Sequence, residues 1–92
     1  LTTKVEINAT ANGQQAGIRM TSGNDDVTFT LYSGYNNGKK IGMSFEGVAT
    51  EVNNAIGNVV WLRVERALHI LTCYYSADGL SWTQLGTKDV SN

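Results

Sequence analysis

The stretch YYSADGLSW, from Tyr74 to Trp82, combines an aspartate, two serines and three aromatic side chains within one short segment. Asp78 would need a second carboxylate at a defined spacing to work with it as an acid–base pair, and the stretch contains none. Asp78 followed by Gly79 is a strong turn signal, because the carboxylate can cap backbone amides and glycine accepts a positive φ. We therefore predict a structural hairpin turn here, not a catalytic site.

The other candidates for catalysis or metal binding are isolated residues. His69 is the only histidine, and no spacing to a serine and an aspartate supports a catalytic triad, so we predict that it lies on the surface of a strand. The segment GNDD could offer carboxylate oxygens to calcium, but a hairpin capped by Asn24 and Asp25 is the simpler interpretation. We predict no catalytic residue, no metal site and no cofactor.

Length, charge and cysteine content restrict the classes of partner. Ninety-two residues form one domain, residues 1–92, and the seven basic and eight acidic residues are spread along the chain with a net charge of −1. Such a charge distribution produces no electrostatic field that would attract nucleic acid or an anionic membrane. No apolar run approaches the ~20 residues of a membrane span. A single cysteine, Cys73, excludes an internal disulfide, and we predict that it packs as a small hydrophobe.

Apolar and polar residues alternate along most of the chain, with breaks rich in glycine and asparagine. The segment GVATEVNNAIG, residues 47–57, has the spacing of a single helical turn, but its β-branched residues and paired asparagines favour a loop. We predict an all-β domain, an antiparallel β-sandwich of the jelly-roll type, with Phe29 and Trp82 in its core. The alternating apolar positions are Val5, Ile7, Ala9, Val27, Phe29, Leu31, Ile41, Met43 and Phe45.

The segments NVVWLRVER and LHILTCYYS are predicted to form a hairpin. A two-residue turn at Ala67 and Leu68 would place Trp61 opposite Tyr74 and make one face almost wholly apolar. A three-residue turn would shift the register and exchange the faces of the second strand, and neither turn residue is the glycine or asparagine that tight turns prefer. With the two-residue turn, the polar face carries Trp61, Arg63, Glu65, Ile70, Thr72 and Tyr74.

Four segments in this order carry a resemblance to a known family: QQAGIRM, a hairpin through NDD, VVWLRVER and YYSADGLSWTQLG. From about Leu1 to Gly86 the chain resembles the concanavalin-A-like β-sandwich accessory domains of bacterial glycoside hydrolases, in particular the C-terminal domain of β-xylosidases and arabinofuranosidases. Such domains are commonly about twice as long, so outer strands of the jelly roll could be lacking. A glycine is also expected where Ala67 and Leu68 stand.

The resemblance implies a secreted, non-catalytic module that binds hemicellulose such as xylan or arabinoxylan, or that helps to shape the active site of a linked hydrolase domain. The alternative is a laminin-G-like sandwich that makes structural or protein contacts and has no affinity for glycans. A free-standing hydrolase ranks last, because no two carboxylates can be assigned acid and base roles.

The side chains that suit a neutral sugar are aromatic rings, which stack on its C–H groups, and polar groups that bond to its hydroxyls. The hairpin register therefore favours Trp61 and Tyr74 as the centre of a sugar platform, with Arg63 bonding to hydroxyls at its edge. Tyr32, on the polar phase of its strand, and Tyr35, in a predicted loop, are the next candidates.

Overall fold

The computed structural model describes residues 1–8, 10–21, 28–45 and 48–89. The predicted hairpin cap at Asn24 and Asp25, and the predicted strand positions Ala9 and Val27, lie outside these ranges. The described residues form eight strands and contain no helix, hence none that could cross a membrane. The strands are β1 (Thr2–Glu6), β2 (Gln15–Thr21), β3 (Thr28–Tyr35), β4 (Lys39–Phe45), β5 (Val48–Asn53), β6 (Val59–Ala67), β7 (Ile70–Ser76) and β8 (Thr83–Asp89).

The strands form two antiparallel sheets of four. Sheet A has the order β1-β6-β7-β8 and sheet B has the order β2-β3-β4-β5. Between the sheets, β1 packs over β2, β6 over β3, and β8 over both β4 and β5. The two sheets thus lie face to face with β5 and β8 at the same open side, and the predicted antiparallel β-sandwich is confirmed.

The core lies between the sheets and takes alternate residues from both. Phe29 and Leu31 of β3 face Leu62 of β6 across it, and all three are almost completely buried. Cys73 is fully buried, as predicted, and burial raises the pKa of its thiol to about 11. The period-two pattern therefore identifies the buried face correctly in the strands that it covers.

The β6–β7 hairpin turns one residue later than predicted. Ala67 pairs with Ile70, and the turn residues are Leu68, with φ of +57°, and His69. Arg66 supports this turn by donating an Nε–H hydrogen bond to the Leu68 carbonyl oxygen at 2.7 Å. The predicted pairs were wrong, but a turn displaced by one residue on each strand leaves every side chain on its predicted face. His69 accordingly lies in the turn and not on a strand.

The structure corrects part of the loop predicted for residues 47–57, because residues 48–53 form β5; residues 54–57 contain no strand, and residue 47 lies outside the described residues. Val48, Thr50 and Val52 alternate along β5 and pair with Phe45, Met43 and Ile41 of β4. The β-branched residues that disfavoured a helix thus serve as strand residues, because β4 supplies the partner ladder. The turn follows only at Asn54, whose Oδ1 accepts hydrogen bonds from the next backbone amides.

Candidate functional site

The outer face of sheet A brings together three of the five predicted site residues. On β6, Val60 and Leu62 point into the core, so Trp61 and Arg63 point outward. Arg63 pairs with Tyr74 on β7, whose side chain is on the same outer face. We call this surface the aromatic face and define it as Lys4, Trp61, Arg63, Tyr74 and Trp82.

Arg63 is the centre of the aromatic face. Its guanidinium carbon lies 5.9 Å from the centroid of the Tyr74 ring and 5.6 Å from that of Trp82, within the range of cation–π attraction. One Nη–H donates to Glu65 Oε2 at 2.7 Å. Within the described part of the chain this is the only hydrogen bond of a group that carries five N–H donors, so most of the donors are available to a ligand.

Tyr74 contributes a neutral ring to the same face. Desolvation by partial burial raises the pKa of its phenol, and the neighbouring Glu65 carboxylate raises it further. The phenol hydroxyl therefore keeps its proton at physiological pH. A protonated phenol beside a partly exposed guanidinium presents both an apolar surface and polar groups, which is the combination that sugar binding requires.

The turn that follows β7 is held by side chains, as the sequence predicts. Ser76 Oγ accepts hydrogen bonds from the amides of Asp78 and Gly79, and Asp78 Oδ1 accepts from the amides of Leu80 and Ser81 at 2.8 and 3.0 Å. The hydrogen bonds from Ser81 and Leu80, followed by that from the Ser76 hydroxyl, lower the pKa of Asp78. Asp78 thus acts as a backbone cap, which confirms its structural assignment.

The same turn supports Trp61. Gly79 has a φ of +77°, and a Cβ atom there would lie only 3.0 Å from Trp61 Cδ2. The backbone of the turn therefore packs directly on the indole. Lys4 Nζ lies 5.8 Å from the centroid of the ring, and Trp61 is half-buried. The turn within the stretch YYSADGLSW therefore forms one side of the aromatic face.

Trp82, which we assigned to the core, lies on the aromatic face. It is half-buried, and its ring contacts Arg63 on the outer side of sheet A. Trp82 lies immediately before the first residue of β8, so strand alternation does not fix the side of its ring. Its contact with Arg63, which the sequence does not signal, places it on the outer face.

Tyr32 lies on the opposite side of the molecule, on the outer face of sheet B. Tyr32 is 7% exposed, and its ring rests on Gly42, where a Cβ atom would be 2.8 Å from Tyr32 Cζ. Its hydroxyl donates to Glu51 Oε2 at 2.6 Å. Burial, and then the Glu51 carboxylate, raise the pKa of Tyr32. The structure thus separates Tyr32 from Trp61 and leaves little of its ring for stacking.

Tyr35 is the last residue of β3, so the loop predicted for it was wrong. Its amide donates to the Gln14 carbonyl oxygen at 3.0 Å, and its own carbonyl oxygen accepts from the Gly13 amide. These backbone bonds extend the pairing of β3 with the segment before β2. The five predicted residues therefore do not form one site. Among the described residues, no group of histidine, cysteine, aspartate and glutamate side chains could hold a metal ion.

Comparison with known proteins agrees with this architecture. A family model described as the beta xylosidase C-terminal concanavalin A-like domain matches residues 1–92. No curated protein and no solved structure matches the chain. The matched family is a C-terminal accessory domain of glycoside hydrolases, and its β-sandwich is the fold observed here. Because the family model matches the whole chain, the chain belongs to the beta xylosidase C-terminal concanavalin A-like domain family.

Proposed function

We propose that residues 1–92 act as a single carbohydrate-binding accessory domain and that the aromatic face binds hemicellulose of the xylan or arabinoxylan type. The observation that carries this proposal is Arg63, held between the rings of Tyr74 and Trp82 with most of its donors unused. The domain itself is non-catalytic, and it works beside a covalently linked hydrolase domain in a secreted bacterial enzyme.

The charges around the aromatic face suit a neutral ligand. Lys4 and Arg63 supply two positive charges, while Glu65 and Asp78 supply two negative ones close by. Such a balance produces no strong field for a polyanion. The rings offer C–H stacking, and the guanidinium offers hydrogen bonds to hydroxyls, so a polymer of neutral sugars fits the chemistry better than an acidic one.

The geometry also reduces the entropy that binding would cost. A free arginine must order a long side chain before it can bind, whereas Arg63 is already positioned by two rings and by Glu65. Each stacked ring adds about 1 kcal/mol beyond its buried area, and the face is shallow, so we expect weak binding in the micromolar to millimolar range. Tyr32 and Tyr35 are left out of this platform because they belong to sheet B.

The test is electrophoresis of the folded chain in native gels that contain xylan, arabinoxylan or an unrelated soluble glycan. Retardation by the xylans is expected for the wild type, and Arg63→Ala and Trp82→Ala are expected to lose most of it. Tyr35→Ala is the control, since it removes an aromatic ring away from the aromatic face. Circular dichroism establishes that each variant keeps its strands. Trp61→Ala is less suitable, because Trp61 also packs on the Gly79 turn.

Two results would overturn the proposal. If folded Arg63→Ala and Trp82→Ala chains were retarded as strongly as the wild type, the aromatic face would not be the binding surface. If none of the glycans retarded the wild type, the chain would have no affinity of its own for these polymers, and the role of a structural or protein-contact domain would replace the proposed one.

A further inference from the structure

The edge of sheet B formed by β5 lacks the features that usually protect an edge strand. β5 pairs with β4 in a regular register and contains no lysine, proline or bulge. The other edges differ, because β1 carries Lys4, β2 carries Arg19, and β8 carries Lys88 together with a register shift. An unprotected edge presents unpaired backbone groups that can bind another strand.

The one charged residue of β5 does not guard this edge. Glu51 Oε2 accepts the Tyr32 hydroxyl hydrogen at 2.6 Å, and Glu51 Oε1 accepts from Asn36 Nδ2 at 3.0 Å. Both partners come from β3 or the residue after it, so the carboxylate is held over the outer face of its own sheet. A second strand could approach β5 without displacing this charge.

The side of the sandwich next to β5 is also open. A cavity of about 80 Å³ lies between the sheets there, with Phe29 and Phe45 of the core among its lining residues and Val48 and Thr50 at its β5 side. Val48 is 62% exposed, which is unusual for a valine on the core side of a strand. β8 packs over both β4 and β5, and no strand of the described residues pairs with the outer edge of β5.

We propose that β5 pairs with β5 of a second copy of this chain, so that sheet B continues into an eight-stranded sheet across a twofold axis. The strand is self-complementary in the antiparallel register centred on Thr50. Val48 then faces Val52 of the partner subunit, and Thr50 faces Thr50 of the partner subunit. Pairs of β-branched residues stabilise antiparallel sheets, and these pairs lie on the core side of both copies.

The outer face agrees with the same register. Ala49 faces Glu51 of the partner subunit, so no two like charges are opposed. Moving the axis by one residue to Glu51 would place that carboxylate opposite Glu51 of the partner subunit, which is destabilising. An axis midway between Thr50 and Glu51 would pair core-side residues with outer-side residues. This register is excluded because facing residues of two antiparallel strands lie on the same side of the sheet. Of these three registers, the one centred on Thr50 is the one that suits both faces of the strand.

This inference goes beyond the proposed function and does not depend on it. β5 belongs to sheet B, whereas the aromatic face is the outer surface of sheet A, so dimerisation leaves both aromatic faces free. If each face binds a glycan weakly, two faces in one assembly would bind a polymer more tightly than either does alone, provided that the chain can reach both.

The test is the molar mass of the 92-residue chain by light scattering after gel filtration, at loads from micromolar to millimolar. The mass is expected to rise with concentration from 10.0 kDa towards twice that value. Thr50→Lys, which opposes two charges at the axis, should weaken dimerisation at least tenfold. Thr83→Lys is the matched control, because Thr83 is also an exposed threonine on an edge strand and should leave the mass unchanged.

A charge-swap experiment makes the register specific. Thr50→Lys and Thr50→Glu should each dimerise more weakly than the wild type when alone, and an equal mixture of the two should recover dimerisation, because opposite charges then meet at the axis. The proposal is overturned if the wild type stays at 10.0 kDa at every load. It is equally overturned if Thr50→Lys dimerises as well as the wild type, or if the mixture of the two folded variants remains monomeric.

Discussion

Replacing Gly79 by alanine tests whether the turn after β7 supports the aromatic face. At its φ of +77°, an L-residue costs about 1–2 kcal/mol relative to glycine. The new Cβ atom would also lie 3.0, 3.2 and 3.4 Å from three atoms of the Trp61 indole, so the ring must move by a few tenths of an ångström. We expect this displacement to cost about 1 kcal/mol more, as for a modest departure from a preferred rotamer.

Gly13→Ala separates these two costs. Gly13 also has a positive φ, +93°, but a Cβ atom there would have nothing within 4 Å. A loss of 1 kcal/mol lowers the melting temperature of a domain of this size by about 4–8 °C. Gly13→Ala should show the backbone cost alone, and Gly79→Ala should melt lower by about a further 4–8 °C because of the contact with Trp61.

The assay is thermal unfolding by circular dichroism, combined with tryptophan emission in a Trp82→Phe background so that Trp61 is the one tryptophan observed. Gly79→Ala should shift the emission of the folded state, and Gly13→Ala should leave it unchanged. The reasoning is refuted if the two variants melt at the same temperature and have the same emission, because the turn would then not press on the indole.

Three further predictions concern titration and hydrogen bonding. Hydrogen bonds lower the pKa of Asp78 below its unfolded value of about 3.9. The ionised carboxylate therefore stabilises the fold above about pH 4, and this contribution is lost as the pH falls. Asp78→Asn should flatten the acid side of a plot of melting temperature against pH. An unchanged acid side would contradict this. Burial raises the pKa of Cys73 from 9.0 to about 11, so the stability that the neutral thiol contributes is complete below about pH 9 and is lost as the pH rises towards 11. Cys73→Ala should flatten the alkaline side of the melting-temperature profile. A slope identical to that of the wild type would count against the raised pKa. Tyr32→Phe removes the bond to Glu51 and should cost about 1.5–3 kcal/mol in urea denaturation, and an unshifted midpoint would show that the bond contributes nothing.

Much of the fold could be predicted because a strand encodes its two faces in its own residue order. Phe29 and Cys73 are buried where the alternation puts them, and Trp61 and Arg63 point outward even though the turn of their hairpin lies one residue away from its predicted position. The Asp78–Gly79 turn was equally predictable, since its hydrogen bonds join residues within three positions of one another.

The placement of the remaining residues depends on strands that are distant in the sequence. β5 is a strand because β4 lies beside it, and Tyr32 is buried because Gly42 leaves room for its ring and Glu51 binds its hydroxyl. Nothing local to those segments contains that information. The grouping of the candidate site residues could not be predicted for the same reason. Tyr32 and Trp61 lie on opposite sides of the sandwich because they belong to different sheets.

The sequence by itself therefore determined the all-β class, the faces of the central hairpin, the capped turn and the family. Only the tertiary structure decided that Trp82 joins Arg63 on the surface, that Tyr32 is a buried support, and that β5 is an open edge. The physical reason is range. Alternation and turn capping act between residues a few positions apart, whereas burial depends on which strand of which sheet lies next to a side chain, and that is settled only when both sheets have formed.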